Sequence, residues 1–318
     1  MRVLLTGSSG WLGRFLAPRL RAAGHTVTGL DIAPGPETQV LASVADRPAL
    51  ERAFAEHRIE AVIHAGGLHK PDIARWPTQA FIDVNVTGTL NLLELASAAG
   101  HDRFVFTSTT SLMISQAVRD EESAQAVWLD EAFGPLAPRN IYGVTKLAAE
   151  GLCRVQHLER GLNCVILRTG RFFPEEDDTE GDLPGPNQKA NEFLGRRLTV
   201  EDAARAHIQA LERAPQLGFD TFVVAAPVPF IPADAETLKR DAEAAIARYF
   251  PDAHALYAAQ GWRLPRSLGR IYDSTRAREV LGLTFETDFA AILTALRAGA
   301  PPPFTHDPAY VSPSAAHA

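Results

Sequence analysis

Thr6-Gly7-Ser8-Ser9-Gly10-Trp11-Leu12-Gly13 is the stretch on which the reading of this chain turns. It joins an aliphatic run, Arg2–Thr6, that reads as a strand to a segment, Leu12–Ala23, whose apolar residues recur at helical spacing. Glycine at 7, 10 and 13 permits a tight turn, lets a pyrophosphate approach the main chain and lets helix and strand pack closely. The helix start, from Ser9 through Trp11 and Leu12, then offers unpaired N–H groups and a positive dipole end to phosphates. The spacing is G-x-x-G-x-x-G, not the commoner G-x-G-x-x-G, and alone it is a weak signal. Its place after the first strand strengthens it, as does Asp31, which closes the next strand, His25–Asp31. A carboxylate there accepts hydrogen bonds from adenosine ribose hydroxyls and repels a 2′-phosphate, and Ile32-Ala33-Pro34 brings no arginine to reverse that choice. The expectation is a dinucleotide site preferring NAD to NADP. The competing reading is that Asp31 only starts the turn at Pro34-Gly35-Pro36.

Outward from this loop, strands and helices alternate. Ala49–His57 reads as helix, Ala61–His64 as strand, Thr87–Ala99 as helix, Arg103–Ser108 as strand, Tyr142–Arg160 as helix and Cys164–Arg168 as strand. Strands separated by helices pair in parallel, and continuous apolar cores such as those at 62–63 and 104–106 suit a sheet covered on both faces. The fold class is α/β, a doubly wound parallel (Rossmann) sheet over residues 1–170. A smaller, mainly substrate-binding region follows over 171–298, with elements at about 199–226 returning to the sheet. Within it Phe173–Asp182 and Leu183–Asn187 read as a long surface loop, and Ala233–Arg248 and Ser274–Leu281 as helices. The stretch 299–318 holds five prolines and ends in small residues, so it reads as a mobile tail.

The 318 residues are 46% hydrophobic and 22% charged, enough to bury a sizeable core and against general disorder. Lys+Arg 31 against Asp+Glu 38 leaves a formal charge of −7, which favours neither nucleic acid nor an anionic membrane as partner. Two cysteines, Cys153 and Cys164, argue against a disulfide framework or a thiolate zinc site, and no metal site is expected. The N-terminus carries too short an apolar run for a signal peptide or membrane span, so a cytoplasmic protein is expected.

Tyr142-Gly143-Val144-Thr145-Lys146 sets a phenol and an ammonium four residues apart, on one helical face. A free phenol, with a pKa near ~10, is a poor base at neutral pH, and a neighbouring cation stabilises its phenolate. That is a proton relay matched to alcohol–carbonyl interconversion with hydride transfer.

At this point the chain resembles the extended short-chain dehydrogenase/reductases, the NAD-dependent epimerase/dehydratase family. The resemblance rests on TGSSGWLG at 6–13, Asp31, VIHAGG at 62–67, NVTGTLNLLE at 85–94, FVFTSTTS at 104–111 and YGVTK at 142–146, with weaker echoes to residue 282. It implies that Tyr142 is the acid/base, that Lys146 holds the nicotinamide ribose and lowers the phenol's pKa, and that a hydroxyl of the run 107–111 assists. Thr109 is favoured for that role, with Thr107, Ser108, Thr110 and Ser111 as alternatives. It places Gly7, Ser9, Gly10, Trp11, Leu12, Gly13 and Asp31 at the cofactor, with Ser43 and Val44 toward adenine. Ala65, Gly66, Gly67 and Thr107 lie along the cofactor. Ser43 stands where the family has an Asp, which weakens that contact. Asn85 matches an asparagine that is structural as often as catalytic.

The family's 4,6-dehydratases follow the catalytic Thr with an Asp-Glu pair; here Thr110-Ser111 follows, which disfavours dehydration. Candidate substrate-binding residues are His69, Lys70, Thr110 and Arg171, the last able to grip phosphate or carboxylate or to pair with the acidic run 175–178. Three functions follow: an epimerase acting on a sugar or sugar nucleotide, a dehydrogenase or reductase of a free sugar, sugar acid or other small carbonyl compound, and a cofactor-binding regulator without turnover. Family members dimerise through helices matching Thr87–Ala99 and Tyr142–Arg160, so a homodimer is expected, with Leu90, Leu93, Ala96, Leu147, Leu152 and Val155 as candidate face residues.

Overall fold

Successive strand residues point to opposite faces, so a strand covered on both sides must be apolar throughout. Here Val3 and Leu5 enter one core and Leu4 the other, and all three are fully buried. The computed structural model describes residues 1–175 and 183–316. The first strand, β1 (Arg2–Thr6), runs through the glycine loop into α1 (Trp11–Ala22), and β2 (Thr26–Asp31) returns parallel beside it. The two-residue β3 (Val40–Leu41) extends that edge, and α2 (Arg47–His57) leads to β4 (Ala61–His64) on the other side of β1. A one-turn α3 (Thr78–Phe81) and a π-helical turn, Ile82–Thr87, precede α4 (Gly88–Ala98) and β5 (Phe104–Thr109). The short α5 (Gln116–Arg119) and β6 (Val127–Leu129) come before the long α6 (Ile141–Arg160) and β7 (Cys164–Thr169). Then α7 (Gly185–Glu192), α8 (Val200–Leu217) and β8 (Phe219–Val224) complete the sheet.

Strand order is β3-β2-β1-β4-β5-β7-β8, every neighbouring pair parallel. The order reverses direction between β1 and β4, and the strands' carboxyl ends diverge there into a crevice. On one face Leu12, Leu16 and Leu20 of α1 meet Ala203, Ala206 and Leu211 of α8 over the sheet. On the other, Leu92, Leu93 and Ala96 of α4 and Ala149 and Cys153 of α6 cover Leu4, Phe104 and Ile166.

A second body of structure packs beside this sheet. There β9 (Arg270–Tyr272) pairs in parallel with β6, and α9 (Ala235–Arg240), α10 (Ala242–Tyr249), α11 (Ala253–Ala259) and, after α12 (Thr275–Glu279), whose Ala277 joins the large sheet's core, α13 (Phe289–Arg297) follow their own core. That core holds Phe193, Leu238, Ile246, Tyr257, Ile271 and Phe289.

Three expectations change. Leu183–Asn187, read as loop, runs into α7, a helix with buried Asn187, Gln188, Asn191 and Glu192. Its polar residues concealed it: Asn187 exchanges hydrogen bonds with the Arg263 main chain, both 2.9 Å, and Glu192 pairs with Arg197 at 2.5 Å. The helix expected over Ala233–Arg248 breaks at Asp241, whose extended backbone ends α9 and whose carboxylate caps Ala244 N–H at 3.0 Å to start α10. The tail from Gly299 is packed: Phe304 stacks on Phe193 at 5.6 Å, Asp307 N–H donates to Pro174 O at 2.9 Å, and Tyr310 meets Trp11 edge-on at 5.1 Å. The acidic residues 176–178 offered as partners of Arg171 lie outside the described residues.

Candidate active site

The carboxyl ends of β1, β2, β4, β5 and β7 open into a cleft of about 1120 Å³. At its nucleotide end Gly7, Gly10, Trp11 and Leu12 form the wall. The helix start carries no side-chain cap, so the amides of its first turn are left for a ligand. Gly66 faces this loop so closely that a Cβ there would lie 2.9 Å from Gly7 N, and the narrow gap admits only main chain. Asp31 is pinned at the floor: Oδ2 accepts Ser9 N–H and Oδ1 accepts Ala33 N–H, both 3.0 Å. A carboxylate has further lone pairs, so two cleft-side hydroxyls can still bond to it. Ser43 and Val44 form the far rim, Ser43 Oγ accepting Ala45 N–H at 3.2 Å, and Ala65, Gly66 and Gly67 run along the middle. A glycine cradle, open helix amides and one fixed carboxylate fit a dinucleotide.

Two residues assigned to this wall work from beneath it. Ser9 turns inward, its hydroxyl donating to Ala33 O at 2.8 Å. Gly13 lies under the loop, where a Cβ would sit 2.2 Å from Gly7 O, so it serves helix–strand packing.

The hydroxyl run at the end of β5 separates by direction. Thr107 Oγ1 is bonded to His207 Nε2 at 2.7 Å, Ser108 Oγ donates to Glu150 at 2.6 Å, and Thr110 Oγ1 donates to Thr169 O at 3.3 Å. Thr107 and Thr110 thus line the cleft with their hydroxyls already engaged. Thr109 is the one hydrogen-bonded to the Tyr142 phenol. Its oxygen accepts Ser111 N–H at 3.1 Å, which leaves its proton for the phenolic oxygen. Asn140 caps α6 by accepting Gly143 N–H at 2.9 Å, and so sets Tyr142 in the first turn. Burial pushes the Tyr142 phenol up to about 12, the Thr109 hydrogen bond pulls the other way and the Asp72 charge adds to the rise, so the lowering expected from Lys146 does not appear here: burial outweighs it. Lys146 Nζ donates to Thr107 O at 2.9 Å and lies over the Phe106 ring at 4.7 Å. Burial brings its pKa down to about 8, against the pull of Cys153 and Glu150.

The substrate end gathers His69, Lys70 and Arg171 from the sequence reading. His69 Nδ1 is tied to buried Asp72 at 2.6 Å, and its ring stacks on Phe173 at 5.1 Å. Arg119 and Arg139 join this wall without having been singled out, and so does Arg270, a cation of the C-terminal part that the sequence offers for gripping phosphate. Arg270 Nε is buried with no hydrogen-bond partner among the described residues. Cations from α5, β9 and the loop before α6 make this end attractive to an anionic or polyhydroxy ligand.

A model of the NAD dependent epimerase/dehydratase family matches residues 3–191. The chain belongs to that family. Epimerase/dehydratase relatives include the L-arabinose 1-dehydrogenase (NAD(P)(+)) of Haloferax volcanii, 34% identical over 191 residues, covering 56% of this chain and 70% of that protein. UDP-glucose 4-epimerase 2 of Oryza sativa subsp. japonica is 32% identical over 170 residues, 48% of this chain and 40% of that protein. The uronate dehydrogenase of Pseudomonas syringae pv. tomato is 28% identical over 180 residues, 55% of this chain and 60% of its own. This chain thus spans about half or less of the rice epimerases it matches. Among solved structures, a short-chain dehydrogenase/reductase superfamily protein from Agrobacterium tumefaciens with bound NAD superposes with a TM-score of 0.65 at 25% identity, over 94% of this chain and 98% of that one. UDP-N-acetylglucosamine 4-epimerase from Bacillus cereus gives 0.63 at 20% identity, over 94% and 98%. NAD is the family's cofactor.

Among the residues that support the site of this epimerase/dehydratase-family chain, Glu150 and His64 were not legible as such, whereas Asn85 was expected in a structural or catalytic role. Glu150 binds Arg168 through two contacts, 3.0 and 2.7 Å, and holds Ser108, a buried pair directly under β5. His64 bridges Thr6 at 2.7 Å and Thr89 at 3.0 Å, its pKa far below the ordinary value because burial, then the Lys146 charge, disfavour the cation. Asn85, in the π-helical turn, accepts Leu68 N–H and donates to Leu68 O, both 2.9 Å, and donates to Thr145 at 3.1 Å. It holds the loop carrying His69 against α6.

Proposed function

We propose that this protein is an NAD-dependent enzyme that moves hydride between nicotinamide and a secondary alcohol or ketone of a sugar or sugar nucleotide. The observation that carries the reading is the joining of Tyr142 to Thr109, alone of the five hydroxyls at 107–111, beside a lysine anchored by Thr107 O. Tyr142 takes the proton of the substrate hydroxyl during oxidation and returns it during reduction. Thr109 donates to the phenolic oxygen and stabilises it as proton transfer proceeds. Lys146, held by a strand carbonyl, keeps a positive charge under the ribose side of the cleft. NAD, when bound, supplies the hydride acceptor and a further positive charge, which favours the phenolate.

Epimerisation returns the hydride to the same substrate, while net oxidation releases reduced cofactor. The Haloferax and Pseudomonas relatives, named as sugar dehydrogenases, favour the second outcome on a free sugar or sugar acid, and the rice relatives the first. The purified protein incubated with NAD and panels of sugars, sugar acids and sugar nucleotides distinguishes them: 340 nm absorbance reports net oxidation and chromatography of the sugar reports inversion. Silence in both readouts across all three panels would sink the reading.

The same reading includes a homodimer, with one change of face. Leu93 and Ala96 are buried in this chain's own core, and Leu152 packs against it. The apolar and small residues that α6 exposes are Val144, Ala148, Gly151, Val155 and Leu158, spaced as one helical stripe, with Arg154, Glu159 and Arg160 exposed beside it. Leu158→Glu is expected to convert a dimer into a monomer by sedimentation; a monomeric parent protein would remove the proposal.

A further inference from the structure

The C-terminal tail supplies a wall of the cleft from outside the sheet. Tyr310, Val311, Ser312 and Pro313 line it together with Trp11 of the glycine loop. Two anchors hold the tail: Phe304 stacks on Phe193, and Asp307 N–H donates to Pro174 O at 2.9 Å. Beyond them the Tyr310 ring meets Trp11 edge-on, centroids 5.1 Å apart at 65°. The phenolic oxygen is turned toward the main-chain N–H of Trp11. That oxygen is buried and makes no hydrogen bond of ordinary geometry among the described residues, and the Trp11 indole nitrogen is likewise buried without a partner. Buried polar groups are paired in all but a few cases, so two orphans on one aromatic contact need a reason.

The first-turn amides of α1 are the donors a diphosphate would use, and the Tyr310 ring lies against Trp11, the residue that carries one of them. We propose that residues 304–313 form a strap that completes the dinucleotide site, and that Tyr310 must lift from Trp11 before NAD can enter or leave. The strap rests on the dinucleotide reading of the cleft. It makes cofactor exchange slow in both directions without touching the chemistry at Tyr142, which suits an enzyme that retains its nucleotide between turnovers.

The test is stopped-flow binding of NADH, read by energy transfer from tryptophan, to the parent protein, to a chain ending at His306, and to Tyr310→Ala. The shortened chain keeps the Phe304 anchor, and thermal melting without nucleotide checks its fold. Association and release are both expected to rise about ten-fold in the shortened chain, the size of losing one partly buried aromatic contact, and several-fold in Tyr310→Ala. Unchanged rates in both variants overturn the strap. Faster release with unchanged association also overturns it, because the tail is then a passive wall. Should the shortened chain fail to fold, Tyr310→Ala decides alone. If the parent protein binds no NADH, the dinucleotide reading has failed and not the strap.

Discussion

The nucleotide end of the cleft is built by loops leaving the ends of adjacent strands: Gly7–Gly13 after β1, Asp31–Ala33 after β2 and Ala65–Gly67 after β4. The substrate end draws on Arg119, Arg171 and Arg270, which reach the same space from α5, the end of β7 and a second small sheet. At the first end the wall is mostly main chain and an uncapped helix start, with one carboxylate added. At the second, side chains of separate segments must converge. The difference teaches why one fold holds the same cofactor across a family while its members differ in substrate: the first end depends on strand order and glycine, the second on packing that can change piece by piece.

Removing the phenolic hydroxyl at the junction of the two ends gives the largest effect. Tyr142→Phe is expected to lower turnover by about 10³-fold or more while NAD affinity changes less than about two-fold, since only the proton-transfer group is lost. Steady-state rates with NAD titration check it, and an active Phe variant would separate the tyrosine from the chemistry.

The frame under the nucleotide end has its own signature in acid. His207 is held by Thr107 and by Ala203 O at 2.7 Å, and burial brings it down to about 4 from 6.5. The unfolded chain therefore takes up this proton first as pH falls. Its contribution is complete above pH 6.5 and is lost between 6.5 and about 4, on the order of 3 kcal/mol. Urea unfolding at a series of pH values is expected to show a shallower loss in His207→Gln than in the parent. Parallel curves would place the acid sensitivity elsewhere.

The smallest change sharpens the nucleotide end alone. Asp31→Ala is expected to shrink the ratio of NAD to NADP affinity by roughly ten-fold, because a charge that repels the 2′-phosphate and accepts ribose hydroxyls is gone. An unchanged ratio would mean that another group reads the ribose. Activity at the substrate end, with NAD saturating, should move little.

Much of the nucleotide end was legible because its signals are local. The period of the strands, the glycines at 7, 10 and 13, and the carboxylate at 31 lie within single turns or consecutive elements, where sterics and hydrogen bonding decide the geometry. The same holds for the four-residue spacing of Tyr142 and Lys146 on α6. Choosing Thr109 among five neighbouring hydroxyls needed the partners of the others: His207, Glu150 and the Thr169 carbonyl lie 100, 42 and 59 positions away.

By itself, then, the chain's order of residues determined the parallel doubly wound sheet, the glycine cradle and the phenol–ammonium pair. Tertiary structure alone decided that a polar stretch would be the buried helix α7, that a proline-rich tail would pack onto Trp11 at the cleft wall, and that Arg119 and Arg139 would join Arg171 in that wall. Backbone periodicity and turn chemistry act over a few residues and are written in them. Burial of a polar group is stable only when its partner arrives, and that partner is fixed by how the whole chain packs.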